Sequence, residues 1–400
     1  GIQLQGGTIL GTSRGGADIA KIVQAISRQA IDMVFVVGGN GGNAAAAAIH
    51  DGTFCFDWFY LSKRRGPEVE KLIFLPLPLL SLPLPPPIHL KNATECVKKR
   101  VTCAVIGVPK SIDNDILLID RCFGFDTAVE EAQRALLAAK VEASSAFRGL
   151  AIVKLMGRQS GFIATQASLS SGVVDVCLIP EVPFSLGGRG ALLTFFLFRF
   201  RVAFFLQGKK TRFFQKPLSL KKKKKTGGLI AHLTKLIERK GHAVVCVAEG
   251  AGQDLLSGAA TAGGGAVNVE RDASGNPILA DVGPWLKSEL KKGIPEADVK
   301  LIDPSYTIRS VAANSADRVL CKVLAHNAVH AAFAGYSGVT VGLVNTHYVY
   351  LPTPLLILAP RRVDPRSKAW NRLRSSLKQP SLLGDGDSEW EYEDEYGNKS

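Results

Sequence analysis

A strongly apolar, β-branched run, Cys103–Val108, leads directly into the most informative stretch of the chain, Gly107–Asp126. The run predicts a buried strand. Just after it, six residues hold a lysine, a hydroxyl and two carboxylates, at Lys110, Ser111, Asp113 and Asp115. Open α/β sheets hold their ligands at the carboxyl ends of strands. The stretch therefore predicts both a fold class and the place where the chemistry occurs.

The same order of buried strand, polar loop and helix recurs along the chain. Further strands are predicted at Met33–Val37, Gly149–Leu155, Asp175–Pro180, His242–Val247, Asp298–Ile302 and Val339–Asn345. Helices are predicted at Ala17–Ala30, Asn43–His50, Thr127–Ser144, Gly228–Lys240 and about 314–334. Strands that alternate with helices are typical of parallel sheets. We therefore expect an α/β protein with mostly parallel sheets.

The composition fits a globular chain. Its 400 residues are 46% hydrophobic and 21% charged, which is enough for two packed domains. The formal net charge of +14 is local, because Arg189–Lys225 holds twelve basic residues and no acid, and the rest of the chain carries about +2. A solvated loop explains such a run better than a polyanion site. Without stacking aromatics or a helical reader, nucleic acid is not an expected partner.

Two apolar stretches do not qualify as membrane spans. Leu72–Leu90 contains six prolines, and Ala191–Leu206 is short and carries two arginines. The seven cysteines form no C-x-x-C pair, so we expect reduced core thiols. The chain opens without a signal or transit peptide, and it reads as if it began inside a domain.

Three loops could hold phosphate groups. Gly6–Gly16 is glycine-rich and carries Arg14, Gly38–Gly42 follows a strand, and Arg158 lies at a strand-to-helix turn. Backbone N–H groups at such turns and the planar guanidinium bind anions. Each loop could also be an ordinary turn, and neither a Walker loop nor G-x-G-x-x-G spacing is present.

Together with the acids Asp113, Asp115 and Glu249 and with Arg309, these loops suit phosphoryl transfer. Loops and arginines would hold phosphates, a carboxylate would take the proton of an attacking hydroxyl, and acids would hold Mg²⁺ or sugar hydroxyls.

Six motifs in this order resemble those of 6-phosphofructokinase, in particular its plant-type ATP-dependent branch. They are G-G-T-I-L-G-T-S-R-G-G, P-K-S-I-D-N-D, F-G-F-D-T-A-V-E-E-A-Q-R-A, V-K-L-M-G-R-Q-S-G-F-I-A, V-A-E-G-A-G-Q and I-D-P-S-Y-T-I-R. The resemblance covers nearly all of residues 1–360. It implies a phosphofructokinase-like fold of two Rossmann-like α/β domains, and an allosteric glycolytic kinase that transfers phosphate from ATP to fructose 6-phosphate.

The resemblance also implies roles for single residues. Asp113 matches the catalytic base, Ser111 stands beside the transferring phosphoryl group, and Asp115 helps to organise the metal and sugar site. The positions that match fructose 6-phosphate ligands are Met156, Gly157, Arg158, Glu249, Tyr306 and Arg309. The nucleotide positions are Arg14, Gly38, Gly39, Asn40, Gly41 and Gly42, and the metal positions are Asn40 and Asp115.

Two positions, Lys110 and Gly41, bear on whether the phosphoryl donor is ATP or pyrophosphate. Pyrophosphate-dependent members share the lysine at Lys110, but they carry an aspartate where Gly41 stands. A side chain there would fill the space that the α-phosphate of ATP needs, so Gly41 favours ATP.

Three departures from the family bear on activity. The first glycine loop of the ATP site would lie upstream of Gly1. Asn40 replaces a metal-binding aspartate and brings no charge, although an amide oxygen can still bind Mg²⁺. Two stretches of foreign composition, residues 51–93 and 190–226, read as insertions, either lineage loops or products of a faulty gene model.

The expected domains follow. Residues 1–125 with 310–360 form the nucleotide domain, residues 126–309 form the fructose 6-phosphate domain, and residues 361–400 form a tail, disordered at its end. The alternative function is a catalytically impaired paralogue that binds sugar phosphate and regulates an active subunit. The resemblance further implies homo- or hetero-oligomers, no membrane, and a soluble protein of the cytosol or the plastid stroma.

Overall fold

The computed structural model of the chain describes residues 1–11, 18–53, 103–187, 227–256 and 278–382. The strands are β1 (Met33–Gly38), β2 (Ala104–Pro109), β3 (Gly149–Leu155), β4 (Val176–Leu178), β5 (His242–Ala248), β6 (Asp298–Ile302), β7 (Val339–Val344) and β8 (His347–Pro352). The α-helices are α1 (Ile19–Arg28), α2 (Asn40–Thr53), α3 (Phe125–Ser145), α4 (Phe162–Ser171), α5 (Leu229–Lys240), α6 (Val282–Gly293), α7 (Ser305–Ser310), α8 (Ser315–Phe333), α9 (Thr353–Leu356) and α10 (Lys368–Leu377). A short 3-10 helix spans Ile2–Leu4.

The strands form two sheets of four. The first has the order β1-β2-β7-β8, in which β7 and β8 pair antiparallel and the other pairs are parallel. The second has the order β4-β5-β3-β6 and is parallel throughout. Parallel neighbours need crossover connections, which the helices provide. The predicted α/β class with mostly parallel sheets is confirmed.

Helices cover both faces of each sheet. In β3, Ala151 and Val153 face the cluster formed with α3, α4 and α10, whereas Leu150 and Ile152 face the cluster formed with α5 and α6. In β2, Ile106 packs toward α8 and Val105 toward α1 and α2. Strands buried on both faces read as continuous apolar runs, which is why the sequence located them.

The last predicted strand is not the last strand. Asn345 and Thr346 both have positive φ, at 48° and 68°, and they turn the chain back into β8. Two left-handed residues in succession are the signature of a tight hairpin turn, and asparagine tolerates that conformation. The predicted bounds Val339–Asn345 missed this hairpin because the turn contains no glycine.

The predicted tail contains a helix. α10 begins after Ser367, whose hydroxyl accepts a hydrogen bond from the N–H of Trp370 at 3.3 Å, and it buries Trp370 and Leu373. Its amphipathic face packs on α4 and continues the core of the second sheet. The acidic stretch from Gly384 lies outside the described residues.

The described cysteines are free thiols, and Cys103, Cys122, Cys177 and Cys246 are buried, as the sequence predicts. Cys55 and Cys96 lie outside the described residues. Within the described part of the chain, no helix combines the length and the apolar character that a membrane crossing requires.

Candidate active site

A cavity of about 340 Å³ opens where β1, β2 and β3 end. It is lined by Asn40, Gly41, Ala44, Ser111, Asp113, Asp115, Arg158, Gln159, Leu356, Ile357, Ala359 and Pro360. Three strand-end loops and the segment after α9 thus meet at one edge of the structure. Six of the predicted site residues lie in its wall.

The loop after β2 carries Asp113 and Asp115 and is called the acid loop below. It is held by its own side chains. Ser111 Oγ donates to Asp115 Oδ1 at 2.6 Å. Asn114 Nδ2 donates to the carbonyl of Asp120 at 2.9 Å, and the N–H of Cys122 donates to Asn114 Oδ1 at 2.9 Å. Asn114 adopts a left-handed conformation with φ 55°, which asparagine tolerates better than most residues. The loop therefore presents Asp113 and Asp115 from a pinned backbone.

Asp113 is electrostatically distinct within the loop. Burial raises the pKa of its carboxyl to about 7, and the neighbouring carboxylates of Asp115 and Glu249 add to the rise. The guanidinium groups of Arg309 and Arg158 oppose it. A carboxyl with a pKa near neutrality can accept a proton at physiological pH and release it again. These charges also place Glu249 and Arg309 close enough to act on Asp113.

The glycine turn after β1 is shorter than the sequence predicts. α2 begins at Asn40 instead of Asn43, and it continues to Thr53, beyond the predicted end at His50. The first turn of this helix therefore borders the cavity through Asn40 and Gly41. The first N–H groups of a helix lack partners within it and attract anions. The predicted helix start was wrong because Gly41 and Gly42 suggested a loop.

Asn40 is joined to the acid loop. Its Nδ2 donates to Asp115 Oδ2 at 2.9 Å, across 75 positions of sequence. Its Oδ1 is buried and has no hydrogen-bond partner among the residues that the structure describes. A buried oxygen without a donor is unusual, and it is free to bind a cation.

The loop after β3 depends on Gly157. Its φ is 133°, and a Cβ there would lie 2.4 Å from the carbonyl oxygen of Ser160. Only glycine accommodates both conditions. The carbonyl of Gly157 accepts from the N–H of Gly250 at 3.1 Å, which fixes the neighbouring Arg158 loop against the end of β5.

The other predicted residues that the structure describes do not belong to the cavity wall. Met156 is buried in the core, so any contact with a ligand would come from its main chain. Tyr306 is 85% exposed, and Arg309 lies in the last turn of α7. Gly38 is the last residue of β1, Gly39 joins that strand to α2, and Arg14 lies outside the described residues.

Part of the site went unpredicted. Leu356, Ile357, Ala359 and Pro360 wall the cavity, but they lie about 240 positions from the acid loop and carry no sequence signal. Gln159 and Asn114 lie inside recognised motifs, and their neighbours could have indicated them. Glu181 accepts hydrogen bonds from the N–H groups of Gly161 at 3.0 Å and Val363 at 2.8 Å, so it joins the end of β4 to α4.

The family model described as Phosphofructokinase matches residues 1–193, the range that contains the strand-end acids Asp113 and Asp115. The chain belongs to the phosphofructokinase family. Within it, the chain is 44% identical over 386 residues to ATP-dependent 6-phosphofructokinase 5, chloroplastic, of Arabidopsis thaliana. The match covers 96% of this chain and 55% of that protein. ATP-dependent 6-phosphofructokinase 1 and 2 of the same plant are 39% and 36% identical, and the matches cover 64% and 67% of their lengths.

The chain thus spans between about half and two thirds of the length of these curated relatives. Solved structures agree on the fold. A pyrophosphate-dependent phosphofructokinase from Marinobacter aquaeolei matches with TM-score 0.56 and 16% identity, over 94% of this chain and 74% of that one. Phosphofructokinase from Pichia pastoris matches with TM-score 0.54 and 19% identity, over 89% of this chain and 29% of that one.

Proposed function

We propose that the protein transfers a phosphoryl group from ATP to the 1-hydroxyl of fructose 6-phosphate, giving fructose 1,6-bisphosphate. The observation that carries the proposal is Asp113, a carboxyl with a pKa of about 7 that lies in the wall of the cavity beside Asp115 and Arg158. A phosphotransferase needs a base near neutrality next to groups that hold phosphates.

In this mechanism Asp113 accepts the proton of the 1-hydroxyl while the hydroxyl oxygen forms a bond to the γ-phosphorus of ATP. The bond from that phosphorus to the oxygen of the β-phosphate breaks, and ADP leaves. Ser111 lies beside the transferring group, where its hydroxyl is already oriented by the bond to Asp115. Arg158 and Arg309 bring fixed positive charge for phosphate groups. The proposed sugar-phosphate ligands also include Met156, Gly157, Glu249 and Tyr306.

The residues present fit Mg²⁺. The unpartnered Oδ1 of Asn40 and the carboxylate of Asp115 are hard oxygen donors that share one edge of the cavity. Mg²⁺ is commonly held by one or two protein oxygens, with substrate phosphates and water completing its shell. When bound, the ion would neutralise charge on the phosphates. Asn40 and Asp115 would hold it.

ATP is the proposed donor. The position of Gly41 supports this, because a Cβ there would meet no atom within 4 Å and would stand in open space at the cavity wall. A larger residue would take volume from the nucleotide. The first turn of α2, with Gly38–Gly42, is the proposed phosphate-binding element, and Arg14 is a further proposed ligand.

The proposed domain division has support from the two sheets. Strands of the first lie within residues 33–109 and 339–352, and strands of the second within 149–302. The first sheet would belong to the nucleotide domain and the second to the fructose 6-phosphate domain. We also propose an oligomer, located in the cytosol or the plastid stroma, as two relatives are named chloroplastic.

Purified protein assayed with ATP, Mg²⁺ and fructose 6-phosphate tests the function. We expect turnover that an Asp113→Ala variant lowers by about 10²- to 10⁴-fold, since a general base contributes that much. Replacing ATP by pyrophosphate should abolish the rate. Absence of turnover above the Asp113→Ala control would favour the impaired paralogue, and a faster rate with pyrophosphate would reverse the donor assignment.

Substitution of Asn40 by aspartate tests the metal ligands. A second carboxylate in place of the amide would face Asp115 Oδ2, now 2.9 Å from Asn40 Nδ2, and the two charges would repel each other without a cation. We expect Asn40→Asp to bind Mg²⁺ about tenfold more tightly by calorimetry in the presence of an ATP analogue. Asn327→Asp, on α8, is the matched control. Equal affinities would exclude Asn40 from the metal site.

A further inference from the structure

Arg361 lies where three parts of the site meet. It follows Pro360, the last residue of the cavity wall, and its own N–H donates to the carbonyl of Asp115 at 2.8 Å. Its Nη1 donates to the carbonyl of Ile119 at 2.8 Å and to that of Asp120 at 3.0 Å. The main chain and the side chain of one residue thus both hold the acid loop.

The side chain of Arg361 supports the part of the loop that carries Asp113. The carbonyl of Asp120 accepts from Arg361 and also from Asn114 Nδ2 at 2.9 Å. Asn114 separates Asp113 from Asp115, and it keeps a left-handed backbone that needs support from its surroundings. Loss of the guanidinium would leave that carbonyl with the asparagine alone.

The same guanidinium also contacts the helix that follows the Arg158 loop. Its Cζ lies 4.8 Å from the ring centroid of Phe162, the first residue of α4. Phe162 follows Arg158 by four positions, so the stacking contact joins the element that presents Arg158 to the loop that presents Asp113. A planar guanidinium can stack and donate at once, which an ammonium group cannot do.

We propose that Arg361 is a positioning residue that fixes the acid loop and the Arg158 loop relative to each other. The inference rests on the proposed phosphoryl transfer. Arg361 would touch neither substrate, and it would act through Asn114 and Phe162. Displacement of reacting groups by about 1 Å can lower a rate by about 10²-fold. A residue that touches neither substrate can therefore still control the rate.

Steady-state kinetics test the proposal with three variants. We expect Arg361→Ala to lower kcat by about 10- to 100-fold with KM changed less than threefold, and Arg361→Lys, which keeps only the charge, to lie between it and the wild type. Arg366→Ala, an exposed arginine in the same segment, should leave kcat unchanged. An Arg361→Ala variant that loses thermal stability while kcat stays at the wild-type value would overturn the proposal.

Amide hydrogen exchange separates this inference from the proposed function. We expect peptides that cover residues 111–121 to exchange at least tenfold faster in Arg361→Ala than in the wild type, and not in Arg366→Ala. Unchanged exchange would contradict positioning by Arg361, whatever the enzyme activity. Faster exchange would support it even if the wild type proved inactive with ATP and fructose 6-phosphate, in which case the proposed function alone would fail.

Discussion

Replacement of Asp113 by asparagine is expected to stabilise the folded protein at pH 8 while it slows the proposed phosphoryl transfer. Burial raises the pKa of the carboxyl to about 7, far above its value of about 3.9 in an unfolded chain. Below the unfolded pKa both states are protonated, and the group does not oppose folding. As pH rises toward 7, the folded state keeps a proton that the unfolded state has lost, so the free energy of unfolding falls. The fall is complete once the pH is above the folded pKa.

The size of this effect follows from the shift. About three pKa units correspond to an upper bound of about 4 kcal/mol, so we expect Asp113→Asn to stabilise by about 1 to 3 kcal/mol at pH 8. The gain should be smaller at pH 5. Urea unfolding at both pH values measures it.

Two comparisons complete this test. Asp298→Asn, at an exposed position away from the cavity, controls for the substitution itself. The rate constant kcat of Asp113→Asn should fall by about 10²- to 10⁴-fold. Equal stabilisation at pH 5 and pH 8 would contradict the assigned proton equilibrium.

Replacement of Asp317 by alanine is expected to cause the largest loss of stability among the changes considered. Asp317 is 1% exposed and lies in the first turn of α8. Its carboxylate accepts from the N–H of Gly124 at 2.8 Å and from the N–H and the hydroxyl of Thr127 at 2.8 Å and 2.5 Å. It therefore satisfies the open N-terminus of α3 from a different helix.

Removal of this carboxylate leaves three donors without a partner at a buried position. Each unsatisfied group costs about 1 to 3 kcal/mol, so we expect Asp317→Ala to lower the free energy of unfolding by about 3 to 5 kcal/mol. Asp317→Asn keeps one acceptor oxygen and should lose about half as much. Denaturant unfolding measures both.

The exposed Asp364 serves as the control for this position, and its alanine variant should change stability by less than about 0.5 kcal/mol. A loss below about 1 kcal/mol in Asp317→Ala would show that α3 does not depend on this contact. Since α3 directly follows the acid loop, the damaged variant should also show faster amide exchange between residues 115 and 127.

Local sequence signals located most strands and helices. Gly149–Leu155 and Asp298–Ile302 have the bounds that the apolar runs predict, because buried parallel strands leave a continuous signal. Ser111, Asp113 and Asp115 lie within five positions, so the chain itself brings them together once β2 ends. The α/β class and the acid cluster were therefore readable from the sequence.

The bounds of helices and strands that end at a single turn were harder to predict from the sequence than the buried strands. Asn345 and Thr346 form a hairpin turn without the usual glycine, and β8 was missed. Asn40 begins α2 although two glycines follow it, because packing of its alanine-rich face outweighs their low helix propensity.

The sequence by itself determined the fold class and the identity of the acid loop, since both depend on residues close together in the chain. Only the tertiary structure decided what surrounds that loop. Asn40 meets Asp115 across 75 positions, and Arg361 meets Ile119 across 242. No local pattern encodes such pairs, because they form only when both sheets and the segment after them pack. The proton affinity of Asp113 arises in the same way, from burial and from charges that folding brings near it.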